Sequence, residues 1–290
     1  MPIAMRCLLP ILALLAGAFA AGCRPTTAVN ALSPSDHYMR QAGEAYGDDP
    51  RQQLDVYWPT SAADDAPVVI FFYGNGWREA ARADFEFVGS ALAEAGIVTV
   101  IPDYRAYPEV TFPTFVEDGA AVVRWALEHM PGVADATRPL YLAGHSAGAH
   151  IAALLTLDHR YLESAVGSMP PLSGFIGLSG PYDFLPLEDG YLQEVFPTDT
   201  RPQSQPIEFV SSAAPPTLLV HGTDDKRVLA EHSRRLARRL EEAGVPVTLR
   251  LYDDVGHARV VAALAPPLQF LADTMDDVIA FVRAGAGERP

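Results

Sequence analysis

Apolar residues along this chain fall into short unbroken runs separated by amphipathic stretches. Val68-Val69-Ile70-Phe71-Phe72-Tyr73 follows Pro67 without a polar interruption, the pattern of a strand buried on both faces. Ile97 to Ile101, stopped by Pro102, predicts the next strand, and Pro139 to Ala143, Phe175 to Ser179, Thr217 to Val220 and Val247 to Tyr252 predict four more. Gln53 to Trp58 alternates mildly and predicts an early strand. Between these runs, helical spacing covers Phe85 to Ala95, closed by Gly96, then Phe115 to His129, Ala147 to Leu157, the charged Glu231 to Glu242 and Ala272 to Val282. Strands alternating with helices over nearly the whole length predict an α/β fold. Its sheet should be mostly parallel, with helices on both faces.

Two segments break the rhythm. Tyr182 to Val210 is long, proline-marked and aromatic. It is expected to be a small cap over residues 182–210, or else a plain long connection. At the start, Arg6 precedes the apolar run Leu8 to Ala16, and Ala20-Ala21-Gly22-Cys23 follows. Charge, then a short apolar run, then small residues is the order of an export signal, and the run is short for a membrane span. Gly22-Cys23 looks like a lipoprotein processing site, although Ala20 stands where a leucine is usual. The expected division is a signal at 1–22, a tether and N-terminal segment at 23–49, and one α/β domain at 50–290. The polar Thr26 to Ser35 is the tether. Lipid on Cys23 would put the protein in a bacterial cell envelope, with the membrane reached only through that anchor.

Composition removes whole classes of function. With 21 Lys and Arg against 36 Asp and Glu, the formal charge is −15 over 290 residues. Such a chain is poorly suited to neutralising nucleic-acid phosphates. The two cysteines are Cys7 and Cys23, so the expected domain holds no disulfide framework, thiolate metal site or cysteine nucleophile.

The chemistry-bearing pattern is Gly144-His145-Ser146-Ala147-Gly148. A buried strand precedes it and an alanine-rich helix follows, the context a nucleophile elbow needs. Ser146 is the candidate nucleophile, and the Ala147 N–H, at the start of the helix, would face a developing oxyanion. Serine needs a base, and the elbow order calls for an acid and then a histidine downstream. His257 follows the last strand and is the candidate base. The acid lies in His221-Gly222-Thr223-Asp224-Asp225-Lys226-Arg227-Val228. Asp224 and Asp225 cannot both face His257; the spacing from His221-Gly222 favours Asp225, with Asp253 and Asp254 as remote options.

On these residues the chain resembles the α/β-hydrolases of the esterase/lipase branch. It most resembles bacterial feruloyl-esterase-like carboxylesterases, with relatives among hormone-sensitive-lipase-like esterases, kynurenine formamidases and isoprenylcysteine methylesterases. The resemblance spans about Gln53 to Val282. Its more specific parts are the glycine loop with Trp77, Pro102-Asp103-Tyr104-Arg105, and the His-Gly-x-x-Asp-x-x-Val stretch ending at Val228, which places the acid on Asp225. The family usually carries His-Gly-Gly-x-Trp in the first loop, where this chain has Tyr73-Gly74-Asn75-Gly76-Trp77. The resemblance implies that the N–H groups of Asn75 and Gly76 join that of Ala147 in an oxyanion hole. Asn tolerates a left-handed backbone better than other non-glycine residues, so Asn75 is expected to keep the loop shape. Trp77 is a candidate substrate-binding residue, packing beneath the loop being the other reading. Asp103, Arg105 and Asp118 are expected to fasten nearby loops. The implied activity is hydrolysis of a small-molecule carboxylic ester without metal or organic cofactor. Arylformamide or other amide hydrolysis by the same triad is the alternative, and the oligomeric state stays open.

Overall fold

The computed structural model describes residues 25–287. The expected signal at 1–22 and Cys23 lie outside them. Eight strands form one sheet: β1 (Tyr38–Ala45), β2 (Gln53–Pro59), β3 (Val68–Phe72), β4 (Val98–Pro102), β5 (Leu140–His145), β6 (Leu172–Leu178), β7 (Thr217–Gly222) and β8 (Val247–Tyr252), in the order β1-β2-β4-β3-β5-β6-β7-β8. β1–β2 and β2–β4 are antiparallel, and every other neighbouring pair is parallel. The apolar runs occupy the middle: β3, β4, β5 and β7 are buried at every residue. The helices are α1 (Pro25–Leu32), α2 (Glu86–Glu94), α3 (Thr114–His129), α4 (Ala147–Leu157), α5 (His159–Val166), α6 (Gly190–Val195), α7 (Glu231–Glu242), α8 (His257–Ala262) and α9 (Thr274–Gly287). α4, buried along its whole length, accounts for its alanine-rich sequence.

Strand order reverses at β3. The chain leaves it for β4 on one side and returns as β5 on the other. In open parallel sheets a crevice forms beyond the carboxyl ends of strands at such a point. The loops after β3 and β5 are the two that carry Gly74-Asn75-Gly76 and Ser146.

The expected tether at Thr26 to Ser35 is not one. Pro25–Leu32 is helical and docked: Asn30 Nδ2 donates to the Ala83 carbonyl at 2.7 Å, Asn30 Oδ1 accepts from the Phe87 N–H at 3.0 Å, and Thr26 Oγ1 donates to Asp84 at 3.2 Å. Its polar residues satisfy a neighbouring turn rather than water. Tyr38–Ala45 is a sheet strand, so the folded unit begins well before residue 50. As an edge strand it is mostly exposed and lacks the apolar period that would mark it.

An ion network ties this end together. Asp55 on β2 is fully buried and accepts from Arg82 Nε at 2.8 Å, Arg40 Nη2 at 2.7 Å and the Gly43 N–H at 2.9 Å. Burial alone would raise its pKa, but these donors outweigh burial and lower it. Arg82 also reaches Asp103 Oδ2 at 2.5 Å, and Arg105 reaches Asp118 at 2.6 Å. The expected fastening roles of Asp103, Arg105 and Asp118 match these contacts. Replacing Asp55 by Asn removes the buried carboxylate shared by two guanidinium groups and should cost about 2–4 kcal/mol. The readout is a lower urea midpoint with an unchanged m value; an unaltered midpoint would refute the network's role.

Candidate active site

Ser146 sits at φ 55°, ψ −123°, between β5 and α4. That conformation is strained for a non-glycine residue and is held by the Ser146 N–H donating to the Leu178 carbonyl at 2.9 Å. The flanking glycines are steric requirements. A Cβ on Gly148 would overlap the Phe72 carbonyl, and one on Gly144 would overlap the Gly148 carbonyl.

The three candidates for the relay come together. His257 Nε2 lies 2.9 Å from Ser146 Oγ, and His257 Nδ1 lies 2.6 Å from Asp225 Oδ2. Asp225, rather than Asp224, faces the histidine; Asp224 pairs with Lys226 at 2.8 Å on the surface. Asp225 Oδ1 accepts from the Arg227 and Val228 N–H groups, both at 2.9 Å. Burial alone would raise the Asp225 pKa. Hydrogen bonds from His221, His257 and the Val228 amide outweigh it and hold the carboxyl far below the ordinary carboxylate range.

Two further histidines touch this relay. His221 Nε2 lies 3.3 Å from Asp225 Oδ2 and 2.8 Å from the Val228 carbonyl, so that nitrogen carries the proton; its Nδ1 accepts from Ser233 Oγ at 2.8 Å. His145 Nε2 donates to the His257 carbonyl at 3.2 Å. The signal for His221 was its fixed place in the same His-Gly-x-x-Asp stretch as the acid.

The glycine loop crosses directly over the elbow: a Cβ on Gly74 would stand 2.5 Å from the His145 carbonyl and 2.7 Å from Ser146 Cβ. Asn75 and Gly76 line the same cavity as Ser146 and His257. The Asn75 carbonyl is taken by the Arg78 N–H at 3.1 Å, which turns the Gly76 N–H of that planar peptide the opposite way. Ala147 opens α4, and its N–H is among the first four that a helix leaves unpaired. The left-handed residues of the loop are Gly76 (φ 61°) and Trp77 (φ 58°), not Asn75. The Asn75 side chain instead donates to the Glu79 carbonyl at 2.7 Å, bracing its own turn. Tyr73, where the family usually has histidine, donates to Asp103 Oδ1 at 2.8 Å and stacks between Phe85 and Tyr104.

Trp77 is not a cavity residue. It is buried, and Nε1 donates to His150 Nδ1 at 3.2 Å, with Phe115, Phe184 and Phe196 around it. The expected cap also differs. No residue of 182–210 lines the cavity; Phe184 and Phe196 turn inward onto Trp77 and His150, and Tyr191 donates its hydroxyl to the Gly76 carbonyl. This segment buttresses the glycine loop from behind. The walls come from Thr26 and Val29 of α1, Phe85 and Phe87, and Val261 and Leu268 after the last strand, around a mostly apolar volume of about 370 Å³. Among the described residues no group of three or more His, Cys, Asp or Glu is placed to hold a metal ion, and no helix is long and apolar enough to cross a membrane.

A nucleophile elbow at the switch point of an eight-stranded, mostly parallel sheet, with acid and histidine after the next strands, defines an α/β-hydrolase. The family described as BD-FAE matches residues 54–240, and the chain belongs to that family. It is 31% identical over 261 residues to a probable isoprenylcysteine alpha-carbonyl methylesterase of Oryza sativa subsp. japonica, covering 82% of this chain and 63% of that protein. It is 27% identical to a kynurenine formamidase of Danio rerio, covering 76% of this chain and 75% of that protein. The chain spans 56–63% of the length of the first plant methylesterases it matches. Among solved structures, a phosphonate complex of esterase B from Lactobacillus Rhamnosis superposes with a TM-score of 0.77 at 21% identity, over 96% of both chains.

Buried histidines give the site an acid limit. His150 receives the Trp77 indole N–H at Nδ1 and donates from Nε2 to the Ser204 carbonyl at 2.8 Å, which requires the neutral form. Burial lowers its pKa from 6.5 to about 4, and burial with the neighbouring His257 lowers that of His145 to about 3. Between pH 6.5 and 4 the unfolded chain takes protons that the folded one refuses. Their contribution is therefore complete above pH 6.5 and is lost as pH falls through 4 and 3. For His150 alone the loss is about 3 kcal/mol. Urea midpoints measured from pH 7 down to 4 should fall steadily, and His150→Gln should flatten that slope; a flat wild-type profile would contradict neutral burial.

Proposed function

We propose that this protein is a serine carboxylesterase acting on small to medium carboxylic esters. The observation that carries the reading is the relay from Asp225 Oδ2 through His257 to Ser146 Oγ, at 2.6 and 2.9 Å, opening into an apolar cavity. In the proposed reaction Ser146 Oγ attacks the ester carbonyl carbon as its proton passes to His257 Nε2. The N–H groups of Asn75, Gly76 and Ala147 receive the tetrahedral oxyanion. His257 then protonates the departing alcohol, leaving an acyl group on Ser146. Water, deprotonated by His257, attacks that acyl carbon; the bond to Ser146 Oγ breaks as His257 returns the proton to it, and the acid is released. Asp225 holds the imidazole with its proton on Nδ1 and stabilises the imidazolium that forms. A volume of about 370 Å³ suits short and medium acyl chains.

One observation favours a second reading. The match to the Danio rerio kynurenine formamidase covers 75% of that protein, a larger share than for the plant methylesterases, so arylformamide hydrolysis by the same triad is the alternative.

The test is a p-nitrophenyl ester series from acetate to palmitate, with N-formylkynurenine alongside. Turnover should be highest on short and medium chains and fall steeply towards palmitate. Ser146→Ala should lower kcat/KM by at least about 10³-fold. Equal rates in variant and wild type would remove Ser146 from the mechanism, and formamide turnover far above every ester would select the second reading. We also propose export and lipid attachment at Cys23, on the residue pattern before Pro25 alone. Metabolic labelling with a palmitate analogue should mark the wild type and not Cys23→Ser; label retained in that variant would refute attachment there.

A further inference from the structure

Arginines crowd this end of the sheet, and most are already engaged. Arg82 pairs with Asp55 and Asp103, Arg105 with Asp118, and Arg51 with Glu79, while Arg78 lies 3.8 Å from the centre of the Tyr191 ring. Arg227 differs from all of them. It lines the cavity that holds Ser146 and His257 and is exposed. Its backbone N–H is bound to Asp225 Oδ1 at 2.9 Å, which fixes its main chain two residues from the relay acid. Among the described residues its guanidinium has no carboxylate, carbonyl or aromatic partner.

The rest of the lining sharpens the point. Asp and Glu outnumber Lys and Arg by 36 to 21 in this chain, yet no carboxylate lines this cavity and Arg227 is its single cation. Elsewhere the wall is apolar, from Val29, Phe85, Phe87, Val261 and Leu268. An unpaired guanidinium beside an apolar wall is suited to an anion that arrives with an apolar substrate, because its fork of donors matches a carboxylate.

We infer that Arg227 binds a carboxylate on the substrate, so that the preferred class is esters carrying a free carboxylate at one end. This rests on the esterase reading above. Within it, Arg227 is a specificity-determining residue and takes no part in bond making.

Two matched pairs test this. Monoethyl adipate against ethyl heptanoate puts the charge on the acyl side. The ester 5-butyryloxypentanoate against hexyl butyrate puts it on the alcohol side. In at least one pair the wild type should favour the charged ester by about tenfold or more in kcat/KM, mainly through KM. Raising NaCl from about 0.05 to about 1 M should shrink that ratio. The ratio should collapse in Arg227→Met and largely survive in Arg227→Lys. A wild-type ratio at or below one in both pairs overturns the inference without any variant, as does a ratio unaltered in Arg227→Met. p-Nitrophenyl butyrate, with Ser146→Ala as control, separates the two levels. If it is cleaved without any charge preference, only the role of Arg227 fails. If no ester is cleaved, the esterase reading fails and the inference with it.

Discussion

The close approach of β3, β5 and α4 is the constraint on which the Ser146 region depends. Gly148 at the start of α4 rests against the Phe72 carbonyl, and Gly74 crosses the His145 carbonyl. Only backbones without side chains pack at that distance. The approach forces Ser146 into a left-handed turn and brings the glycine loop over it. His145, on the same elbow, then holds the His257 carbonyl from below. Ser146, the glycine loop and His257 are thus brought together by one piece of backbone packing rather than by separate devices. The hydrogen bond from Tyr191 to the Gly76 carbonyl and the inward aromatic cluster around Trp77 and His150 stiffen that packing from the far side.

Most of the sheet was legible because strands buried on both faces leave unbroken apolar runs. Ala147–Leu157, Glu231–Glu242 and Val247–Tyr252 coincide with their expected limits. The meeting of Ser146, Asp225 and His257 was legible for a different reason: a sharp turn needs small neighbours, and the order of strands restricts which carboxylate and which histidine can reach it. Asp225 won over Asp224 because its side chain turns inward to the amides of its own loop while Asp224 turns to Lys226.

What escaped the sequence shares a physical cause. An edge strand such as Tyr38–Ala45 carries no apolar period, because little of it is buried. The polar residues of Pro25–Leu32 look solvated until their partners, the Ala83 carbonyl and the Phe87 amide, are placed beside them. Tyr182 to Val210 is aromatic in the way a lid would be, but the same composition serves a buried brace, and only the direction of Phe184 and Phe196 decides between them. Trp77 follows them inward. Asn75 keeps the loop shape through its side-chain amide rather than through a left-handed backbone, which propensity alone does not reveal.

The placement of α1 separates two properties that are often carried by one segment. Ser146, Asp225 and His257 follow the ends of β5, β7 and β8, fixed by core packing that tolerates little change. Part of the cavity wall belongs to a short helix far away in the chain, held to the rest by a few side-chain hydrogen bonds. Substitutions in that helix can reshape the opening without disturbing the sheet beneath. Within such an architecture, the shape of the opening and the geometry around Ser146 can be altered independently of each other.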